Sequence, residues 1–327
     1  YYKKSTDGGS TFGNTIEIGS TITAQQPRIA ATGNIVHIVW NDGQPYAKYA
    51  RSTDGGSMFT SVDILEINDS NGNGREIRTP SISISGNTVH IVGVAEYYPS
   101  YPSYTIVYQK STNSGGSFGS ITTLTCPDDD GCGIPLAISS SGNYVHIVGQ
   151  GSEQNQEDGG WSGRSTYYFR STNGGSSFSS PVTLDLSGVP YMHSIATSGS
   201  NVIVGLTDSN DWNGIEIMRS TDNGNSFGPK IEVNTSCQVH PMLTAEGSSV
   251  FLLWNSCNDS AYFTRSTDGG ANFGTLYQMF GGTNSNSYSI AVDGNNLVIA
   301  AADVGEIKVL LSSNSGQTFT SPSDSGG

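Results

Sequence analysis

Basic residues are scarce in this chain: 14 lysines and arginines stand against 28 aspartates and glutamates, for a net charge of −14 and a pI near 4.5. A face that grips nucleic acid or an anionic membrane needs clustered Lys and Arg, so both partner classes are excluded as expectations. Charge of either sign is sparse, at 13% of residues. No apolar run approaches the ~20 residues of a spanning helix, which argues against membrane insertion, and no segment holds a 3.6-residue period long enough for a substantial helix. Four cysteines in 327 residues are too few to build a disulfide scaffold, so an apolar core has to carry the fold. No leader is visible. Tyr1 falls inside a strand-like pattern, and any export signal is expected upstream of it.

One phrase is abundant. Ser-x-Asp/Asn-x-Gly-x-x-Phe occurs seven times, starting at Ser5, Ser52, Ser111, Ser171, Ser220, Ser266 and Ser312. A period of this length marks one supersecondary unit copied many times. Within the phrase the Asp or Asn side chain accepts backbone amides of its own turn, the Gly takes positive φ, and the Phe turns back into an apolar layer. Strand-like runs flank it, as in Ala47–Arg51 and Val62–Ile67, so the phrase fastens a hairpin. Between fasteners lies a second hairpin turned at Gly-Asn or Gly-Ser, such as Pro27–Gly33 running into Asn34–Trp40. The repeating unit is therefore four antiparallel strands, A to D, which is a β-propeller blade.

The phrases resemble Asp-boxes, also called bacterial neuraminidase repeats, of the sialidase-like propeller superfamily. The resemblance implies an all-β fold of six or seven four-stranded blades and says little about activity, because function sits in sites grafted onto folds. Blades are expected over 24–67, 75–125, 133–186, 190–234, 238–279 and 286–320, with 1–20 as a partial blade in a single propeller. The first box has no A–B hairpin ahead of it. The ring is then six-bladed with a spare hairpin or seven-bladed with one incomplete blade, and an uncovered hairpin edge offers self-association by strand addition.

The A–B and C–D turns are short, whereas the D–A and B–C connections, which leave from the other ends of the strands, vary in length. Variable loops on a rigid scaffold are where binding residues lie. On that face stand Trp161 and Trp212 in polar loops, Tyr97 beside Glu96, Tyr191, Asp208, and His193 and His240 at the start of A strands. Aromatic planes beside carboxylates suit sugars, whose C–H faces stack while their hydroxyls take the polar groups. Trp40 and Trp254 share a column with Gly93, Gly149 and Gly205, which points to packing between blades, and the recurrent His37, His90 and His146 on strand B read as structural.

Sialidases of the superfamily hold the substrate carboxylate with three arginines, use a tyrosine paired with a glutamate as nucleophile, and an aspartate as acid/base. Here Arg51, Arg170, Arg219 and Arg265 belong to the box repeat, and Pro27-Arg28-Ile29 is not the family's Arg-Ile-Pro, so no catalytic residue is carried over. Arg75, Arg78 and Arg164 remain as candidates to converge with Glu96, Tyr97, Tyr191, Asp208 or Asp211. The expected function is a secreted or cell-surface module that binds an extracellular glycan or protein without catalysis; the competing class is a sialidase-like glycoside hydrolase. Three arginines in one pocket beside a Tyr–Glu pair would favour the enzyme. No organic cofactor is expected. Asp69, Asn71 and Asn73 alternate before glycines as calcium ligands do, although Pro80 stands where a closing Glu belongs.

Cys126 and Cys132 flank one D–A connection, while Cys237 and Cys257 lie in connections of the same class, so disulfides Cys126–Cys132 and Cys237–Cys257 are expected in an oxidising compartment; the alternative is a Cys237, His240, Cys257 metal set. Mass spectrometry of an unreduced digest should recover both linked peptide pairs, and free thiols at all four positions or stoichiometric zinc would reverse the assignment.

Overall fold

The computed structural model describes residues 1–19, 25–68, 74–97, 103–127, 132–151, 165–184, 193–208, 214–234, 238–256, 260–280, 288–303, 306–320 and 323–324. Among them all regular structure is β, and no helix is long and apolar enough to cross a membrane. Blade 1 comprises β1 (Gln25–Thr32), β2 (Ile35–Asn41), β3 (Ala47–Ser52) and β4 (Thr60–Ile64). Blade 2 comprises β5 (Glu76–Ser85), β6 (Thr88–Tyr97), β7 (Ser103–Ser111) and β8 (Thr122–Leu124), and blade 3 comprises β9 (Cys132–Ser141), β10 (Tyr144–Gly151), β11 (Thr166–Ser171) and β12 (Val182–Leu184). Blade 4 runs β13 (His193–Ser198), β14 (Asn201–Asp208), β15 (Gly214–Ser220) and β16 (Ile231–Asn234), and blade 5 runs β17 (Gln238–Glu246), β18 (Ser249–Ser256), β19 (Ala261–Ser266) and β20 (Tyr277–Phe280). Blade 6 closes the series with β21 (Tyr288–Asp293), β22 (Asn296–Asp303), β23 (Glu306–Ser312) and β24 (Ser323–Asp324).

Every sheet is a four-stranded antiparallel meander, and the six together are the blades of a β-propeller. The choice between six and seven blades falls to six among the described residues. The first box adds no blade: its hairpin is pinned by the single bridge Tyr2–Ile16, with both backbone bonds at 2.8 Å. Two compact units are distinguished, one of Tyr1–Tyr2 and Thr15–Asp185 holding blades 1 to 3, the other of Lys3–Asn14 and Leu186–Gly327 holding blades 4 to 6.

Within each unit the B strands are buried on both faces, which is why they read as unbroken Val/Ile runs rather than as alternating patterns. In the first unit Val39, Tyr49, Leu65, Ile77 and Ile91 form one core between blades 1 and 2, and Ile106, Tyr108, Leu136, Ile147 and Phe169 form another between blades 2 and 3. In the second unit Phe251, Phe263, Leu297 and Ile299 fill the space between blades 5 and 6. Trp254 is buried in such a layer between blades 4 and 5, at 1% exposure, whereas Trp40, at 6%, packs with Val36, Ile38 and Ala50 of its own blade and against Tyr2 and Ile18 of the N-terminal hairpin rather than between blades. Where the column holds Gly93 instead, a Cβ would lie 2.7 Å from a methyl of Ile77, so side chains of the adjoining strands already fill that volume.

The fasteners are hydrogen-bond cradles built on the serine as much as on the acid. Ser52 Oγ donates to Asp54 Oδ1 at 2.7 Å and accepts the Gly56 N–H at 2.8 Å, while Asp54 Oδ1 takes the amides of Ser57 and Met58. The same Ser–Asp/Asn–Gly bonds recur from Ser5 to Ser312. The fourth residue of each box from the second onward donates its N–H to the carbonyl of its own blade's A–B turn, as Gly55 does to Asn34 and Ser114 to Asn87, at 2.8 Å in both. Box glycines also make room for the preceding blade. A Cβ on Gly115 would overlap the Tyr49 hydroxyl, which bonds His37 Nδ1 at 2.6 Å, and Gly175 stands in the same relation to Tyr108, which bonds His90 at 2.7 Å.

Burial pushes His37, His90 and His146 down to about 4, with the neighbouring Arg51, Lys110 and Arg170 adding to the effect. Because the unfolded chain protonates first, near 6.5, it binds more protons between 6.5 and 4, and stability must fall as pH drops through that window. Each histidine contributes at most about 3 kcal/mol. Box aspartates act below it: hydrogen bonds, first from the Thr11 hydroxyl, hold Asp7 at about 2, so the stability it contributes is lost as pH falls from the usual carboxylate range toward 2. Urea midpoints measured from pH 8 to 4 should decline mainly below 6.5, and a His90→Gln variant, weaker at pH 8, should decline less; parallel declines would refute the assignment.

Candidate functional site

The B and C strands of blade 2 extend beyond their counterparts, and their register places three polar side chains together. Glu76 of β5 lies opposite Glu96 of β6, and Glu96 lies opposite Tyr104 of β7. Two carboxylates facing each other repel. Arg78, two residues along β5 from Glu76, relieves this by pairing its Nε with Glu96 Oε2 at 2.5 Å and Glu76 Oε1 at 3.4 Å. The Tyr104 hydroxyl donates to the other oxygen, Glu96 Oε1, at 3.4 Å. Glu96 is buried at 3% exposure, so its charge depends on these partners, whereas the Arg78 side chain stays 35% exposed.

A β-bulge aims this cluster. The β5–β6 register shifts between Arg78 and Ser81, with Thr79 at φ 46° directly before Pro80. The device recurs at Gln26 before Pro27 and at His240 before Pro241, with φ of 52° and 58°. Non-glycine residues rarely hold positive φ, and bulges of this kind re-aim side chains at strand ends. In the first unit the two bulges are tied, Thr79 N–H donating to Gln26 Oε1 at 3.0 Å. The B strands also end in buried polar residues: Asn41, Glu96 and Gln150 in the first unit, Thr207 and Asn255 in the second.

Of the residues singled out from sequence, Arg78 and Glu96 are brought into direct contact. Arg75 sits just before β5, its N–H bonded to Ile67 O at 2.9 Å. His193 begins β13 and is buried opposite Leu206, and His240 occupies the bulge of β17, half-buried; burial lowers the His240 imidazole pKa. The backbones of Tyr97 and Asp208 end β6 and β14. Trp161, Arg164, Tyr191, Asp211 and Trp212 lie outside the described residues, as do Asp69, Asn71, Asn73, Cys237 and Cys257. Cys126 is disulfide-bonded, and no described cysteine is free. Among the described residues no three His, Cys, Asp or Glu side chains gather as a metal site. Glu76 and Tyr104 escape a reading of the sequence, because what unites them with Glu96 is the pairing register at the ends of strands A and C, which no local pattern marks.

Solved structures of similar shape include a Hadza microbial sialidase, Hz136, with TM-score 0.63 and 11% identity over 86% of this chain and 64% of that one. The sialidase of Trypanosoma rangeli in complex with the inhibitor DANA aligns with TM-score 0.58 and 11% identity over 89% of this chain and 54% of its own. This chain thus spans less than two thirds of the length of either sialidase. The fold is that of the sialidase-like β-propellers. A protein of unknown function from Dyadobacter fermentans shares this propeller at TM-score 0.61 and 13% identity, covering 89% of this chain and 94% of that one. No protein-family model and no curated protein matches the sequence. At such identities the likeness concerns the propeller and not its chemistry.

The Arg78–Glu96 pair is testable by a double-mutant cycle in urea. Arg78→Met leaves two carboxylates opposed and should cost ~2–4 kcal/mol, Glu96→Gln somewhat less, and the double variant should recover at least ~1 kcal/mol of the sum; strict additivity would show that the pair does not hold the rim.

Proposed function

We propose that this sialidase-like propeller is an extracellular or cell-surface binding module that takes a glycan or protein on the rim formed by the B–C and D–A connections, without catalysis. The observation carrying the reading is the commitment of Arg78 to Glu96 and Glu76: its charge answers two carboxylates of the chain itself, on a rim where the B strands of the first unit end in the polar Asn41, Glu96 and Gln150. Such a rim suits hydroxyl-bearing ligands. Trp161 and Trp212, assigned to B–C connections by the sequence, supply the stacking planes of the proposal. The disulfide at Cys126 and the low charge content support an oxidising, extracellular setting, with Cys126–Cys132 and Cys237–Cys257 as the proposed pairs.

One observation favours the second reading, a sialidase-like glycoside hydrolase. Tyr104 donates to Glu96, a tyrosine–carboxylate pair of the type such enzymes use, beside an arginine. A glycan array run with fluorogenic glycoside hydrolysis on one preparation separates the two. The binder requires array signal without turnover, and Trp161→Ala with Trp212→Ala should weaken binding about ten-fold or more in folded protein. Turnover abolished by Tyr104→Phe and Glu96→Gln would establish the enzyme instead.

A further inference from the structure

In several blades the residue just before a box reaches across to the box of the next blade. Lys110 Nζ donates to Gly174 O at 2.8 Å and to Ser176 Oγ at 2.7 Å, Arg219 Nε to Gly269 O at 2.7 Å, and Arg265 Nη1 to Ser315 O at 2.8 Å. In each case the acceptor is the carbonyl of the fourth box residue, whose N–H is already bound to its own A–B turn. The corresponding acceptor for Arg51 is Ser114 O, but Arg51 makes no such bond. Its Nε is buried with no hydrogen-bond partner, and its side chain forms no ion pair among the described residues. Beside this arginine a cleft of about 350 Å³ lies between the C and D strands of blade 1 and the box of blade 2, lined by Tyr49, Arg51, Thr60, Val62, Ser117 and Phe118.

We propose that this cleft is a binding site for a small organic carboxylate with a flat apolar body, separate from the polar rim and independent of the function assigned to it. A guanidinium is the side chain best matched to a carboxylate, which it meets with two parallel N–H bonds, and a buried donor without a partner is costly until such an acceptor arrives. The walls fit the rest of the ligand. Phe118 stands edge-on to Tyr49 with ring centroids 4.8 Å apart, and Val62 presents its methyls at 52% exposure. Asp63, also on the lining, does not repel an anion outright, since Lys48 pairs with it at 2.6 Å. The volume accommodates one ring, at the lower end of small-molecule sites. Thr60 and Ser117 offer hydroxyls to a second polar group on the ligand.

Benzoate is the probe, with benzyl alcohol as its neutral counterpart and inorganic phosphate as a bare oxyanion, titrated into full-length protein labelled with ¹⁵N-arginine. The Arg51 Nε–H resonance should move saturably with benzoate, with benzyl alcohol at least about ten-fold weaker. Arg51→Gln should lose binding by a similar factor, while Arg265→Gln, which breaks a formed clasp, should keep it. If Arg51→Gln fails to fold, Val62→Glu at the exposed lip places a like charge beside the ligand and should weaken benzoate in the same way. Equal binding of benzoate and benzyl alcohol, unaltered binding in both variants, or no saturation overturns the proposal. Phosphate binding as tightly as benzoate overturns the apolar-body assignment and leaves a general anion cleft.

Discussion

The serine hydroxyl of the box is the hinge on which the architecture turns. Acting as donor to the Asp or Asn oxygen and acceptor from the glycine amide, it satisfies the polar groups of a tight connection that carries no ladder bonds of its own. Because the partner uses only Oδ1 for the bonds common to all copies, Asp and Asn are interchangeable there, as Asp54 and Asn113 show. The cradle fixes the glycine in a backbone conformation without room for a Cβ, and into that space comes the tyrosine of the preceding blade, already bonded to a buried histidine. A local turn thereby dictates how neighbouring blades pack in the first unit, and in the second Ile203 and Phe263 stand beside the box glycines of the following blades in place of the tyrosine.

The two ends of the blades are built on opposite principles. At the box end the cradle bonds recur in every copy, and Lys110, Arg219 and Arg265 each tie one blade to the next. At the other end, B strands of blades 1 to 5 finish in buried Asn, Gln, Glu and Thr, and the A strands of blades 1, 2 and 5 bear bulges with strained residues ahead of proline. Strain and buried polarity persist only where the surrounding structure enforces them, and they concentrate where side chains must be aimed. That contrast directs the functional reading toward the Glu96 cluster.

The cluster also shows why a shared fold leaves the chemistry open. Sialidases have the same propeller, and here a tyrosine, a glutamate and an arginine meet on one blade. Yet the arginine answers the protein's own carboxylates. The unclasped Arg51 presents the reverse case, a cation that the repeat would normally occupy, left beside a cavity on the box side.

The sequence by itself determined the repeat. Seven boxes, the Gly-Asn and Gly-Ser turns and the Val/Ile strand runs named the all-β blade, because turn chemistry and strand period are local properties carried by consecutive residues. It also marked Arg78 and Glu96 as candidates. The number of blades, six with a bridged hairpin carrying the extra box, was decided by tertiary structure, since a strand counts only when a partner edge accepts it. The union of Glu76, Arg78, Glu96 and Tyr104 was likewise invisible in the chain, because it rests on pairing register and a bulge between strands. The difference between Arg51 and its look-alikes Arg219 and Arg265 is of the same kind: each precedes an identical Ser-Thr, yet two of them clasp the next blade's carbonyl and Arg51 does not.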